Sequence, residues 1–115
     1  MTTTASRFLL AALLLLSGSA AFAADGVSPA QASALYKEHC AKCHGEAGRA
    51  DTWRGYLFFA QEFTGEKWQA AHSDEDILTE INEGPRIMPA FESTLSLAER
   101  QALVQVIRGF AAPAR

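Results

Sequence analysis

"EHCAKCHGEAG", residues 38–48, holds both cysteines of the chain, and a histidine follows the second at once. On a helix, residues three and four apart share a face, so the sulfurs of Cys40 and Cys43 and the imidazole of His44 would all point the same way. A disulfide between Cys40 and Cys43 would close a very short loop and constrain the unfolded chain little. A thioredoxin-like redox pair needs a βαβ context, and a zinc site needs further ligands, for which only His39 and His72 remain among the histidines. The favoured reading comes from the pattern itself: C-x-x-C-H is the attachment signature of a c-type haem, in which two thiols add across the porphyrin vinyl groups and the histidine coordinates the iron from one side.

The segments on either side supply the setting. Ser28-Pro29-Ala30-Gln31 is a helix start, with a hydroxyl at the N-cap, proline at the first helical position and Gln at the capping-box position. The alanine-rich run that follows meets no breaker before Gly45, so the spacing predicts a first helix ending in the cysteine motif. From 46 to 71 the pattern weakens into a loop with short helical turns and scattered rings (Trp53, Tyr56, Phe58, Phe59, Phe63, Trp68), most of which are expected to make core. A long, weakly structured stretch in a small domain points to function or to a ligand it packs on.

Ser73 caps the next helix. Acids at 74, 75 and 76 sit near its positive end, Ile77, Leu78 and Ile81 lie on one face, and Gly84 is its stop. Pro85 and Pro89 then hold "GPRIMPAF" out of helix. A last helix is expected from about Leu97 to Phe110, with Leu97, Leu103, Val104 and Ile107 on its apolar face. No segment reads as a strand, so the fold class is all-α.

Before Asp25 the only charge is Arg7, followed by an apolar run and Ala21-Phe22-Ala23, the order of a cleaved secretory leader. The reading is a signal peptide over 1–24, one domain over 25–115, and export to the periplasm. Nine Lys and Arg then face thirteen Asp and Glu in the mature chain, a net charge of −4 that argues against a nucleic-acid partner. Once the leader is gone one methionine remains, Met88, on the proline-stiffened loop. A lone methionine is usually core filler. A rigid loop well after His44 can instead return to the opposite side of the ring and present a thioether to iron.

On "CAKCHG", "SDEDILTEINEG", "MPAF" and "LSLAERQALVQVIRGF" the chain resembles the class I monohaem cytochromes c of bacteria, over nearly all of the mature sequence. The resemblance implies a small cytochrome c fold of three to five helices wrapped around one covalent haem c, held by Cys40 and Cys43, with His44 and Met88 as axial ligands. It also implies a crossing of the N- and C-terminal helices at Leu35, Tyr36, Leu103 and Ile107. Ala32 stands where the family often has glycine, and Val106 where it often has an aromatic. Trp68 resembles a tryptophan that some members aim at a haem propionate, with plain packing as the other reading.

The expected function is one-electron transfer between redox partner proteins, at least one with a basic docking face. A peroxidase or gas sensor with a labile sixth ligand is the alternative. His39 is expected in solvent, and His72 at the surface or in a cap.

Overall fold

In the computed structural model, residues 26–113 are described. The leader reading and its boundary at 24 lie outside them. Among the described residues there is no strand, and no helix is long and apolar enough to cross a membrane.

Helix starts follow capping chemistry. Three begin at a serine whose hydroxyl accepts from the N3 backbone N–H while the N3 side chain accepts from the serine's own N–H: Ser28 with Gln31 for α1 (Pro29–His39), Ser73 with Asp76 for α5 (Asp74–Glu83), and Ser96 with Glu99 for α6 (Leu97–Gly109). Such boxes satisfy two otherwise orphaned donors, and losing a cap costs about 0.5–2 kcal/mol. The intervening helices are short: α2 (Ala41–His44), α3 (Trp53–Phe58) and α4 (Glu66–Ala71). The first helix does not run unbroken into the motif. Cys40, at φ −116° and ψ −40°, ends α1 and starts α2, so the described residues form six helical segments.

The main packing is α1 across α6, with α5 beside α6. Tyr36, Leu103 and Ile107 are buried in that crossing, Leu35 is half-buried against it, and Ala32, in the glycine place, is 4% exposed. Leu103 is fully enclosed; deleting such a side chain to alanine costs about 2–5 kcal/mol. Ile77 and Ile81 of α5 join the same core, as do Phe63, Phe91 and Leu95.

Two expectations change. Leu97 is 52% exposed: the buried face of α6 starts one turn later at Arg100, and its apolar part is Leu103, Val104 and Ile107. Of the rings between 46 and 71, only Phe63 is fully buried and Trp68 packs on the core from its edge, whereas Trp53, Tyr56 and Phe59 are 66%, 77% and 83% exposed. The α3 helix that carries Trp53 and Tyr56 packs on α2 rather than on the α1–α6 core.

Arg108 ties α4 and α5 to α6. Its guanidinium donates to Asp74 Oδ1 (2.6 Å), Gln69 O (2.8 Å), Gln69 Oε1 (2.9 Å) and the carbonyl of His72. A planar fork with five N–H donors suits this convergence of acceptors.

Candidate functional site

The turn from Cys40 to His44 is held from both ends. Tyr36, 2% exposed on α1, donates its hydroxyl to the carbonyl of Gly45 at 2.8 Å. Burial, and secondarily Cys40 and Asp51, raise its pKa, which keeps the phenol protonated and donating. On the other side, the hydroxyl of Thr52 donates to Cys43 O (3.0 Å) and accepts from Gly55 N (2.8 Å), so one side chain both caps α3 and docks it on the end of α2. Gly55 permits this approach: a Cβ there would stand 2.6 Å from the Cys43 carbonyl oxygen.

Within the turn, Cys43 N and His44 N both donate to Cys40 O, at 3.1 and 3.0 Å. The cysteines are not bonded to each other. Burial pushes the Cys40 thiol up to about 12, which is the wrong direction for a redox-active pair whose nucleophile needs a low pKa. No group of three or more His, Cys, Asp or Glu gathers to hold a metal ion among the described residues, so His39 and His72 do not complete a zinc site.

His44 has one ring nitrogen committed. Nδ1 lies 2.8 Å from the carbonyl oxygen of Gln61, a pure acceptor, so Nδ1 carries the proton and Nε2 is the lone-pair nitrogen. Burial lowers the His44 pKa, with the Gln61 carbonyl opposing the shift, and so favours the neutral imidazole that metals require. The ring stacks on Phe63, with centroids 4.5 Å apart and planes 21° apart.

Met88 lies on the loop after α5 and is half-buried against the core cluster that also contains Cys40. The loop is pinned at both ends, by Met88 N to Pro85 O (3.1 Å) and Phe91 N to Ile81 O (3.0 Å). Pro85 and Pro89 thus frame a closed lobe that presents one thioether.

This donor set fits a covalent porphyrin: two unbridged thiols one helical turn apart, and a neutral imidazole whose second nitrogen a carbonyl orients. Large apolar side chains exposed on α3 and on the methionine loop (Tyr56, Leu57, Ile87) belong to the segments that follow the attachment turn and carry Met88.

Of the other histidines, only His39 differs from the sequence reading. His39 is half-buried, not solvated, because its ring meets Phe91 edge-on at 5.6 Å. His72 is the C-cap residue of α4 and stacks on Trp68 at 4.8 Å. Sequence reasoning missed Gln61, which acts through its backbone carbonyl and leaves no side-chain signature. It also left Phe63 undistinguished among seven phenylalanines, although Phe63 alone stacks on His44.

Residues 27–107 match the family described as cytochrome c oxidase, cbb3-type, subunit III. A solved structure named KustC0563 c-type cytochrome is 43% identical with a TM-score of 0.67, covering 70% of this chain and 98% of that one. A mutant of that cytochrome is 41% identical with a TM-score of 0.63, covering 69% and 96%. No curated protein matches the chain.

Proposed function

This chain belongs to the monohaem c-type cytochromes, a family of haem-based electron transfer, and on that premise we propose that it is a periplasmic one-electron carrier with His/Met axial ligation. Cys40 and Cys43 would hold haem c as thioethers, and His44 and Met88 would ligate its iron. The bound group supplies a one-electron couple at iron.

The chain's own residues decide how that couple is used. The Gln61 carbonyl, at 2.8 Å, keeps the His44 proton on Nδ1 and leaves Nε2 as the donor. Met88, a weak thioether donor, favours the reduced state and raises the potential relative to a second histidine. Ligation by both His44 and Met88 would leave the iron no open position for oxygen or substrate, which is why electron transfer is favoured over catalysis. The buried shell of Phe63, Phe91, Ile77 and Ile81 lowers the local dielectric and pushes the potential the same way. The mature chain's surplus of acids supports brief encounters with a partner that has a basic docking face.

The observation that carries the reading is the turn Cys40–His44, with unbridged thiols and a tautomer fixed by Gln61. The test is the optical spectrum, oxidised and reduced, of protein exported from a host with haem-attachment machinery. Sharp low-spin bands with the weak long-wavelength band of methionine-ligated Fe(III) are expected. A high-spin spectrum that shifts with added ligands would favour a peroxidase or gas sensor, and a colourless protein would return Cys40 and Cys43 to a disulfide.

A further inference from the structure

His44 begins a column of four rings. Phe63 stacks on it at 4.5 Å and 21°, Trp68 meets Phe63 at a tilt of 45° with centroids 5.0 Å apart, and His72 stacks on Trp68 at 4.8 Å and 26°. The backbone of Phe63 is fixed at both ends: its N–H donates to Gly48 O (2.7 Å), and its carbonyl accepts from Gln69 Nε2 (2.7 Å). Gln69 Nε2 also donates to Ile107 O (3.0 Å), and Gln69 Oε1 accepts from Arg108 (2.9 Å), so the column is fastened to α6. Coordination by His44 needs none of this.

We propose that Phe63, backed by Trp68, is a positioning residue that sets the rotational angle of the His44 imidazole plane; this rests on the haem reading above. The hydrogen bond to Gln61 fixes where one edge of the imidazole points, but a ring held by one edge can still pivot about that bond. A second ring parallel to its face removes the pivot, and the two constraints together define a plane. Trp68 packs on Phe63 at 5.0 Å, and hydrogen bonds hold the Phe63 backbone on both sides, which together limit how far the ring can shift. The plane of an axial imidazole decides which iron d orbital its nitrogen π electrons meet, and so how the unpaired spin of low-spin Fe(III) spreads over the four sides of the porphyrin. A partner that orients a ligand in this way tunes the metal without touching it.

The experiment is proton NMR of the oxidised holoprotein, reading the hyperfine-shifted haem methyl resonances, with wild type measured first. Absence of a low-spin haem in wild type would overturn the haem reading and this proposal with it. With that haem present, Phe63→Leu is expected to redistribute the methyl shifts, and Phe63→Tyr, which keeps the ring, to retain the wild-type pattern. Val104→Ala, which removes buried volume on α6 while leaving all four rings in the sequence, is expected to lower the melting temperature and leave the pattern alone. An unchanged pattern in a less stable Phe63→Leu protein would show that Phe63 is core packing only, and would overturn the proposal. If Phe63→Leu does not mature, Trp68→Leu replaces it: a smaller redistribution in the same direction supports the proposal, and a wild-type pattern overturns it.

Discussion

The carbonyl oxygen of Met88 occupies the space that a side chain at Gly84 would need: a Cβ there would stand 2.5 Å from it, and 2.5 Å from Ala90 N. Gly84 also has φ +63°, in the left-handed region. The stop of α5 and the loop that carries Met88 are therefore one packed unit, and the absence of a side chain at 84 lets the loop fold back on the helix.

Gly84→Ala should cost about 1–3 kcal/mol from backbone strain alone, with more from the displaced loop. If Met88 ligates iron, the same variant should loosen the ligand. Urea denaturation gives the first quantity, and bleaching of the long-wavelength methionine band on mild warming checks the second.

If Cys40 and Cys43 attach the haem and Met88 ligates its iron, Met88→Ala should keep the haem attached but open the sixth position. The expected outcome is loss of the methionine band, a lower potential, and binding of cyanide or imidazole without denaturant. An unchanged spectrum would remove Met88 from the ligand set. Cys40→Ala or Cys43→Ala should instead leave a single thioether and poor maturation, read as a drop in haem-stained protein.

Arg100 is 8% exposed and has no carboxylate partner among the described residues; its Nε donates to Leu95 O at 3.2 Å and its Nη1 to Asn82 Oδ1. Asn82→Ala would leave part of a buried cation without an acceptor, a loss of about 1–3 kcal/mol. A lowered urea midpoint with an unchanged m-value, and an unchanged haem spectrum, is the expected result.

Asp74 gives a pH dependence with a defined sign. Its hydrogen bond from Arg108 holds its carboxyl below the usual carboxylate range. The folded protein therefore releases this proton more readily than the unfolded chain. The contribution is complete above the unfolded value of about 3.9 and fades as pH falls through the folded one. Because the group is solvent-exposed, the effect is small. Asp74→Asn should melt slightly earlier than wild type at pH 7, with the gap closing in acid, as followed by far-ultraviolet circular dichroism.

Much of the site was legible because its signals are local. The spacing of Cys40, Cys43 and His44 is chemistry written in five residues, and Ser28, Ser73 and Ser96 mark helix starts because a cap bonds only three residues ahead. The proline frame around Met88 is equally local, since proline restricts its own φ and its predecessor wherever the chain goes. Those features, and the apolar stripe through Leu103, Val104 and Ile107, determined an all-α domain with a C-x-x-C-H turn at the end of its first helix.

Only the tertiary structure decided which groups meet across the sequence. Gln61 orients His44 with a backbone carbonyl, a group that every residue has. Phe63 is buried while Trp53, Tyr56 and Phe59 are exposed, although all four are aromatic, because burial depends on which side of α2 the following chain passes. Arg100 entered the core because Asn82 and the Leu95 carbonyl were there to receive its donors, and His39 left solvent because Phe91 folded back onto it. Each of these contacts joins residues at least five apart, and most join separate elements. Their energies arise only once α5, α6 and the loops have closed on one another, so no window along the chain contains them.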